Sequence, residues 1–288
     1  MHEPLEKLIS LMYVDQLDAR TFEGSSIDIG SGRVYGGQVL GQALKAAQST
    51  VPKGKIVHSM HAYFMREGDY SIPITYHIDI TRDGRSFSTR QVQAYQRNRP
   101  IFIANLSFQI EEVGMKFQLV MPEALEPQSL KSLSNYDTQE RDKLSDKLQK
   151  LIKLSSPFDV KPVPQENMSP EVSHQKYIWI KTRHEISDDP DIHRAILAYI
   201  SDYGLATTSL MPHGLDFESP STQLASIDHG MWFHRPFRVD QWLLYACEPI
   251  STSNARGLSR GSLYDHNGNL VATTTQEGLI RQIKLKEG

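Results

Sequence analysis

The sequence predicts an α+β protein in which one fold occurs twice, and three observations carry that expectation. Short strings recur at constant spacing: Phe64-Met65-Arg66 returns as Phe233-His234-Arg235, and Asn98 before Ile101-Phe102-Ile103 returns as Asn267 before Leu270-Val271-Ala272, each 169 residues later. So long a period is a whole small domain, since solenoid units run to about 20–50 residues. Each half pairs one helix-like segment with a run of strand-like ones, the α+β pattern. Finally, 288 residues suffice for two domains of ordinary size. The expected division is 1–118 for the first copy, 119–170 for a linker and 171–288 for the second.

The elements follow in order. From Pro4 to Tyr13, Leu5, Leu8, Ile9 and Met12 fall on one helical face. A polar, strand-like stretch covers Leu17 to Glu23. Gly36 to Ala47 reads as a helix of small residues, whose glycines each cost about 1 kcal/mol relative to alanine; close packing against a sheet is the expected reason. Strands are expected at Ile56–Met65, Ile74–Thr81, Ser86–Gln96 and Pro100–Gln109, with turns at Asp83-Gly84 and Arg97-Asn98, an antiparallel meander. Pro122 to Pro170 is polar and Pro/Ser/Lys-rich, a linker with one amphipathic helix bearing Leu144, Leu148, Leu151 and Ile152. The second copy opens with a strand, Tyr177–His184. Asp188-Asp189-Pro190 then starts a helix that runs through Ile196 to Asp202. Strands return near Leu224–Phe233, Gln241–Ser251, Ala255–Tyr264 and Leu270–Gln276, with a hairpin turn at Asn267-Gly268.

Composition narrows the function classes. Hydrophobic residues make up 39% and charged residues 23%, enough for a core in each half. A net charge of −3 without a long basic run argues against nucleic acid as a partner. The single cysteine, Cys247, cannot form an internal disulfide and suits a reducing compartment. No apolar run approaches the ~20 residues of a membrane span, and the N-terminus lacks the pattern of a signal peptide. A cytoplasmic protein is expected, with no membrane partner.

Polar residues present in only one copy mark where chemistry is to be sought. Asp202 shares a helical stripe with Ala195, Ala198, Leu205 and Ala206, close to the helix's C-terminal end. Burial and the helix dipole would both raise its pKa and make its carboxylate a stronger base; a solvent-facing Asp202 is the alternative. Gln276, ending the last strand, could orient a water or donate to a carbonyl oxygen, although a strand-end Gln also suits a surface. Ser226 could hold a water or simply satisfy its backbone neighbours. His229 and His234 fall on opposite strand faces, as do His58 and His61, and no HExxH or CxxC string exists, so no metal is expected. Gly257-Leu258-Ser259-Arg260-Gly261 matches the serine-hydrolase G-x-S-x-G string, but a hairpin turn follows it where the mechanism needs a helix. Gly30-Ser31-Gly32-Arg33-Val34-Tyr35-Gly36 only approximates a dinucleotide loop and lacks a βαβ series, so no cofactor is expected.

The chain resembles the acyl-CoA thioesterase II family of double hotdog thioesterases. The resemblance rests on Val34-Tyr35-Gly36-Gly37-Gln38-Val39-Leu40-Gly41-Gln42-Ala43, His58-Ser59-Met60-His61-Ala62-Tyr63-Phe64 and Arg82-Asp83-Gly84-Arg85-Ser86-Phe87-Ser88. In the second half it rests on Ile227-Asp228-His229-Gly230-Met231-Trp232-Phe233-His234-Arg235-Pro236-Phe237, Ala255-Arg256-Gly257 and Gln276-Glu277-Gly278. It implies two tandem hotdog domains, each a curved antiparallel sheet around a central helix. It also implies hydrolysis of fatty acyl-CoA to fatty acid and CoA, without metal or covalent intermediate. The site residues it implies are Asp202, Ser226 and Gln276, all in the second copy, which leads us to expect one working site per chain. Ser226 stands where relatives can carry Thr, and lacks the methyl that stiffens the Thr rotamer. Gly36 and Gly37 are the expected backbone donors to an oxyanion. Arg235 and Arg256 are the candidate partners of the CoA phosphates, with a solvated surface role as the alternative for either. Assembly into dimers or tetramers is expected. A hydratase or dehydratase on the same fold would need a G-D-x-N-x-x-H type string, which is absent; a silent acyl-CoA binding module and a hydrolase using Ser259 are the remaining alternatives.

Overall fold

The computed structural model describes residues 3–30, 32–135, 149, 152–168, 174–215 and 222–282. The first copy contains α1 (Glu3–Met12), β1 (Asp15–Gln16), β2 (Thr21–Gly24), α2 (Gly36–Gln48), β3 (Lys55–Phe64), β4 (Ile74–Asp83), β5 (Phe87–Gln96) and β6 (Arg99–Ile110). The second contains β7 (Phe158–Pro162), β8 (Lys176–Thr182), α3 (Pro190–Ser201), β9 (Thr222–Ser226), β10 (Asp228–Phe233), β11 (Leu243–Ser253), β12 (Arg256–Asp265) and β13 (Leu270–Gln282). The 169-residue spacing extends over the meander: Ile74 and Phe87 open β4 and β5, and Leu243 and Arg256 open β11 and β12. Alternate residues of β5 and β12 are buried, which turns one face of each strand toward a helix.

Both copies share one antiparallel sheet, in the order β1-β2-β4-β5-β6-β3-β10-β13-β12-β11-β8-β7, with β9 beside β13. The seam is the β3–β10 pair, in which Met60 faces Met231 and Tyr63 faces Asp228. Each half curves around its helix, giving the tandem hotdog architecture. The expected strand Leu224–Phe233 is broken at Ile227. There the backbone N–H donates to Glu277 O while the carbonyl accepts from Phe64 N–H, so one residue is claimed from both copies.

The glycines of α2 serve a different contact from the one expected. A Cβ on Gly37 would lie 2.3 Å from the Tyr199 carbonyl oxygen, and one on Gly41 2.8 Å from that of Ala195. The two central helices therefore pack antiparallel, backbone to backbone, where a helix–sheet contact is expected from sequence. This close approach brings the end of α3 to the start of α2.

The linker is not a free spacer. Residues from Gln118 to Leu130 run across the sheet face opposite α3, covering Trp179, Leu244, Tyr264 and Leu270 with Met121, Ala124 and Leu130. Gln118 donates to Gly268 O, and Trp179 Nε1 donates to Leu125 O at 2.8 Å. The expected linker also contains β7, an edge strand that buries Phe158 and Val160 against β8; it is too short, and too close to prolines, to stand out by periodicity. Of the expected linker helix, Leu144, Leu148 and Leu151 lie outside the described residues, while Ile152 is buried. Among the described residues no helix is long and apolar enough to cross a membrane.

Candidate active site

Asp202 caps the C-terminal end of α3, with φ −84° and ψ 0°. The antiparallel helix pair sets it beside the first turn of α2, where Gly37 N–H donates to its carboxylate. The charge thus meets two helix dipoles: the end of α3 opposes it and the start of α2 receives it. A Cβ on Gly36 would stand 2.7 Å from Asp202 Oδ2 and 3.1 Å from the Phe64 ring. Only glycine leaves that oxygen open to the cavity.

Gln276 does not end the last strand as expected: β13 continues six residues past it, paired with β12 and β9, and Gln276 is fully buried within it. Its Nε2 donates to Asp202 Oδ1 at 2.6 Å and to Ser226 Oγ at 3.1 Å. Ser226, the last residue of β9, meets Gly278 across the ladder, which puts its hydroxyl on the helix side of the sheet next to Gln276. The Ile227 bulge that follows is pinned by Asp228, whose carboxylate accepts Glu277 N–H at 2.7 Å. The three polar positions singled out in the sequence therefore meet around one amide. Burial lifts the Asp202 carboxyl to about 6, against the pull of the Gln276 and Gly37 N–H groups.

Asp202 and Ser226 open onto a cavity of about 450 Å³. Its walls are mostly apolar, with Val34, Tyr35, Phe64, Ile101, Phe102 and Leu224, and Arg33, Arg66 and Glu67 supply the charges. Tyr35 is held over the helix junction by donating to Tyr199 O at 3.2 Å. The cavity thus joins the second copy's polar triad to the first copy's apolar wall.

Two other expected site residues lie elsewhere. Arg235 donates to Leu270 O and borders a separate groove with His58 and Phe233, the repeat-related counterpart of this cavity. Arg256 pairs with Glu277 at 2.8 Å and does not line the cavity. The first-copy counterpart of Arg235 is Arg66, which does line it and donates to Pro100 O. Because Asp202 crosses to the start of α2, its neighbouring arginine comes from the opposite copy. The 169-residue spacing would have found Arg66 once that crossing was known. Ser259 is fully buried within β12, whose extended backbone offers no elbow.

Comparison with known proteins agrees with this architecture. The family profile described as "Acyl-CoA thioesterase N-terminal domain" matches residues 25–109, and that described as "Acyl-CoA thioesterase" matches residues 148–279. The chain is 37% identical to acyl-CoA thioesterase 2 of Haemophilus influenzae over 283 residues, covering 98% of this chain and 99% of that one. It is 36% identical to human acyl-coenzyme A thioesterase 8, covering 94% and 88% respectively. Among solved structures it is similar to the acyl-CoA thioesterase II TesB2 of Mycobacterium marinum, with a TM-score of 0.83, 34% identity and coverage of 96% and 99%. A hot dog fold protein from Alicyclobacillus acidocaldarius, 16% identical with a TM-score of 0.76, shares the fold.

Proposed function

The chain belongs to the acyl-CoA thioesterase family, a family of thioester hydrolases, and we propose that it hydrolyses fatty acyl-CoA with Asp202 as general base. The observation that carries this reading is the Gln276 amide, which binds Asp202 and Ser226 at once. A water between Asp202 Oδ2 and Ser226 Oγ would face a thioester carbon lying in the cavity. Asp202 takes one water proton as the oxygen attacks. The tetrahedral intermediate then collapses, the C–S bond breaks, and the proton passes to the CoA sulfur. No covalent acyl-enzyme and no metal enters this sequence. Holding the water in line contributes several kcal/mol, and general-base assistance typically 10²–10⁴-fold.

Gly37 N–H is engaged by Asp202, which leaves Gly36 N–H, in the first turn of α2, as the backbone donor for the oxyanion. For the CoA phosphates the structure favours Arg33 and Arg66 over Arg235 and Arg256, because they stand at the cavity. One site per chain is favoured for a local reason. Counterparts of Ser226 and Gln276, 169 residues earlier, are Val57 and Ser107. The start of α3 is also closed to an oxyanion, since Asp189 caps it by accepting Asp191 N–H and Pro190 has no N–H to offer.

Self-association into dimers or tetramers is supported by large apolar side chains left open to solvent at Val113, Met115 and Phe117; the mass in solution tests it. A reducing, cytoplasmic setting suits Cys247, buried and unpaired. The activity is tested by giving purified protein acyl-CoAs of graded chain length while a thiol reagent reports released CoA. Release at one or more lengths is expected, and no release at any length refutes the proposal.

A further inference from the structure

We infer that His229 is a positioning residue for the catalytic base: through Ser201 it locks the last turn of α3, and with it the Asp202 carboxylate, against the strands that hold Ser226 and Gln276. The inference rests on the proposed role of Asp202.

Ser201 is the last residue of α3, directly before Asp202, and is fully buried. Its Oγ donates to Ala198 O at 2.8 Å, satisfying a helix-end carbonyl, and lies 2.8 Å from His229 Nε2. A hydroxyl has one proton. With that proton on Ala198 O, the contact to the ring requires Nε2–H as donor and Ser201 Oγ as acceptor. His229 Nδ1 is then a bare acceptor nitrogen, and it is buried without a partner. The opposite tautomer would bury an unpaired N–H and also release Ala198 O, at greater cost. Geometry alone therefore selects a neutral Nε2–H imidazole, and burial agrees by pushing the ring down to about 3.

Ser201 is gripped a second time at its carbonyl, which accepts from Tyr245 Oη at 2.7 Å. Tyr245 Oη also lies 2.9 Å from Thr274 Oγ1, two residues before Gln276 on β13. Room for the Tyr245 ring is left by Gly261, where a Cβ would lie 2.3 Å from it. His229 stands on β10, which continues β9 with its Ser226, and Tyr245, on β11, ties Ser201 through Thr274 to β13, which bears Gln276. Sheet and base are thus held in one frame, independently of the direct Gln276–Asp202 bond. His229 is 1% exposed and does not line the catalytic cavity, so its effect must reach the reaction through Ser201.

The experiment compares His229→Met, His229→Gln, Ser201→Ala and Asp202→Asn in the full chain, by kcat, KM and the acid limb of the kcat–pH profile. Met removes the donor at similar volume. Gln can return an N–H near the Nε2 position. His229→Met and Ser201→Ala are each expected to lower kcat about tenfold or more with KM within twofold. Both should also move the acid limb toward the ordinary carboxylate range, because the loosened carboxylate gains water. His229→Gln should recover at least a third of wild-type kcat and the wild-type acid limb. Wild-type kcat and acid limb in folded His229→Met, or equal losses in Met and Gln variants, overturn the inference. Should His229→Met fail to fold, wild-type kinetics in Ser201→Ala overturn it instead. Wild-type turnover in Asp202→Asn removes Asp202 as the proposed base, and the clamp with it; an Asp202→Asn slowed by about 10²-fold or more beside a wild-type-like His229→Met refutes only the clamp.

Discussion

Asp202 should show itself in stability as well as in rate. Burial raises its carboxyl from the ordinary value to about 6 in the folded chain. The folded state therefore holds the proton more tightly than the unfolded one, and between about pH 4 and pH 6 it binds more protons. The stability linked to this proton is fully present below the unfolded value and is lost as pH rises through 6. A rise of about two pH units at 1.36 kcal/mol each amounts to roughly 3 kcal/mol. That is an upper limit, because Oδ2 opens to the cavity and water there screens the charge. Asp202→Asn carries no such proton. Denaturant melts from pH 4 to pH 8 should show the variant gaining on wild type as pH rises, by up to about 3 kcal/mol. In the same interval wild-type kcat should lose half its value near pH 6 and keep about a tenth at pH 5, since only the ionised base works. A stability difference flat from pH 4 to pH 8, with an acid limb near pH 4, would refute the claim of a buried, proton-holding base.

Other outcomes follow from single contacts. Gly36→Ala should fold, because its new methyl meets only side-chain atoms, Asp202 Oδ2 and the Phe64 ring, yet lose about tenfold or more in kcat by covering or displacing Oδ2; kinetics beside a thermal melt separate the two. Gly37→Ala instead drives a methyl into the Tyr199 carbonyl, and urea melts should show about 1–3 kcal/mol of destabilisation. Gln276→Glu sets a second carboxyl where an amide donates at 2.6 Å to Asp202. The pair must then share a proton, and the acid limb of the kcat–pH profile should move above 6. Ser259→Ala removes a buried hydroxyl that has no hydrogen-bond partner, and CoA release should match wild type.

The repeat, the meander and the terminal helix were legible because their signals are local. A strand face repeats every second residue and a helix face every three or four, and both copies repeat them in step. α1 and the expected strands fall within a few residues of their expected limits, except that β13 runs six residues past Gln276 to Gln282. β7 was not legible, since five residues beside prolines carry too little periodicity, and the Ile227 break was not, since two distant strands cause it.

At the site, sequence by itself determined which residues are unusual: Asp202 at an apolar helix end, Gln276 in the last strand, and glycines where a helix would prefer alanine. Tertiary structure alone decided what they meet. Asp202 lies 165 positions from Gly37 and 74 from Gln276 in the chain, so nothing local could say that α3 ends where α2 begins. That crossing depends on two helices packing backbone to backbone through Gly37 and Gly41. It assigns Arg66 to the cavity in place of Arg235, gives the carboxylate a backbone donor, and sets His229 behind it. Periodicity is written into neighbouring residues by hydrogen-bond geometry; the meeting of two helix ends is a property of the packed core.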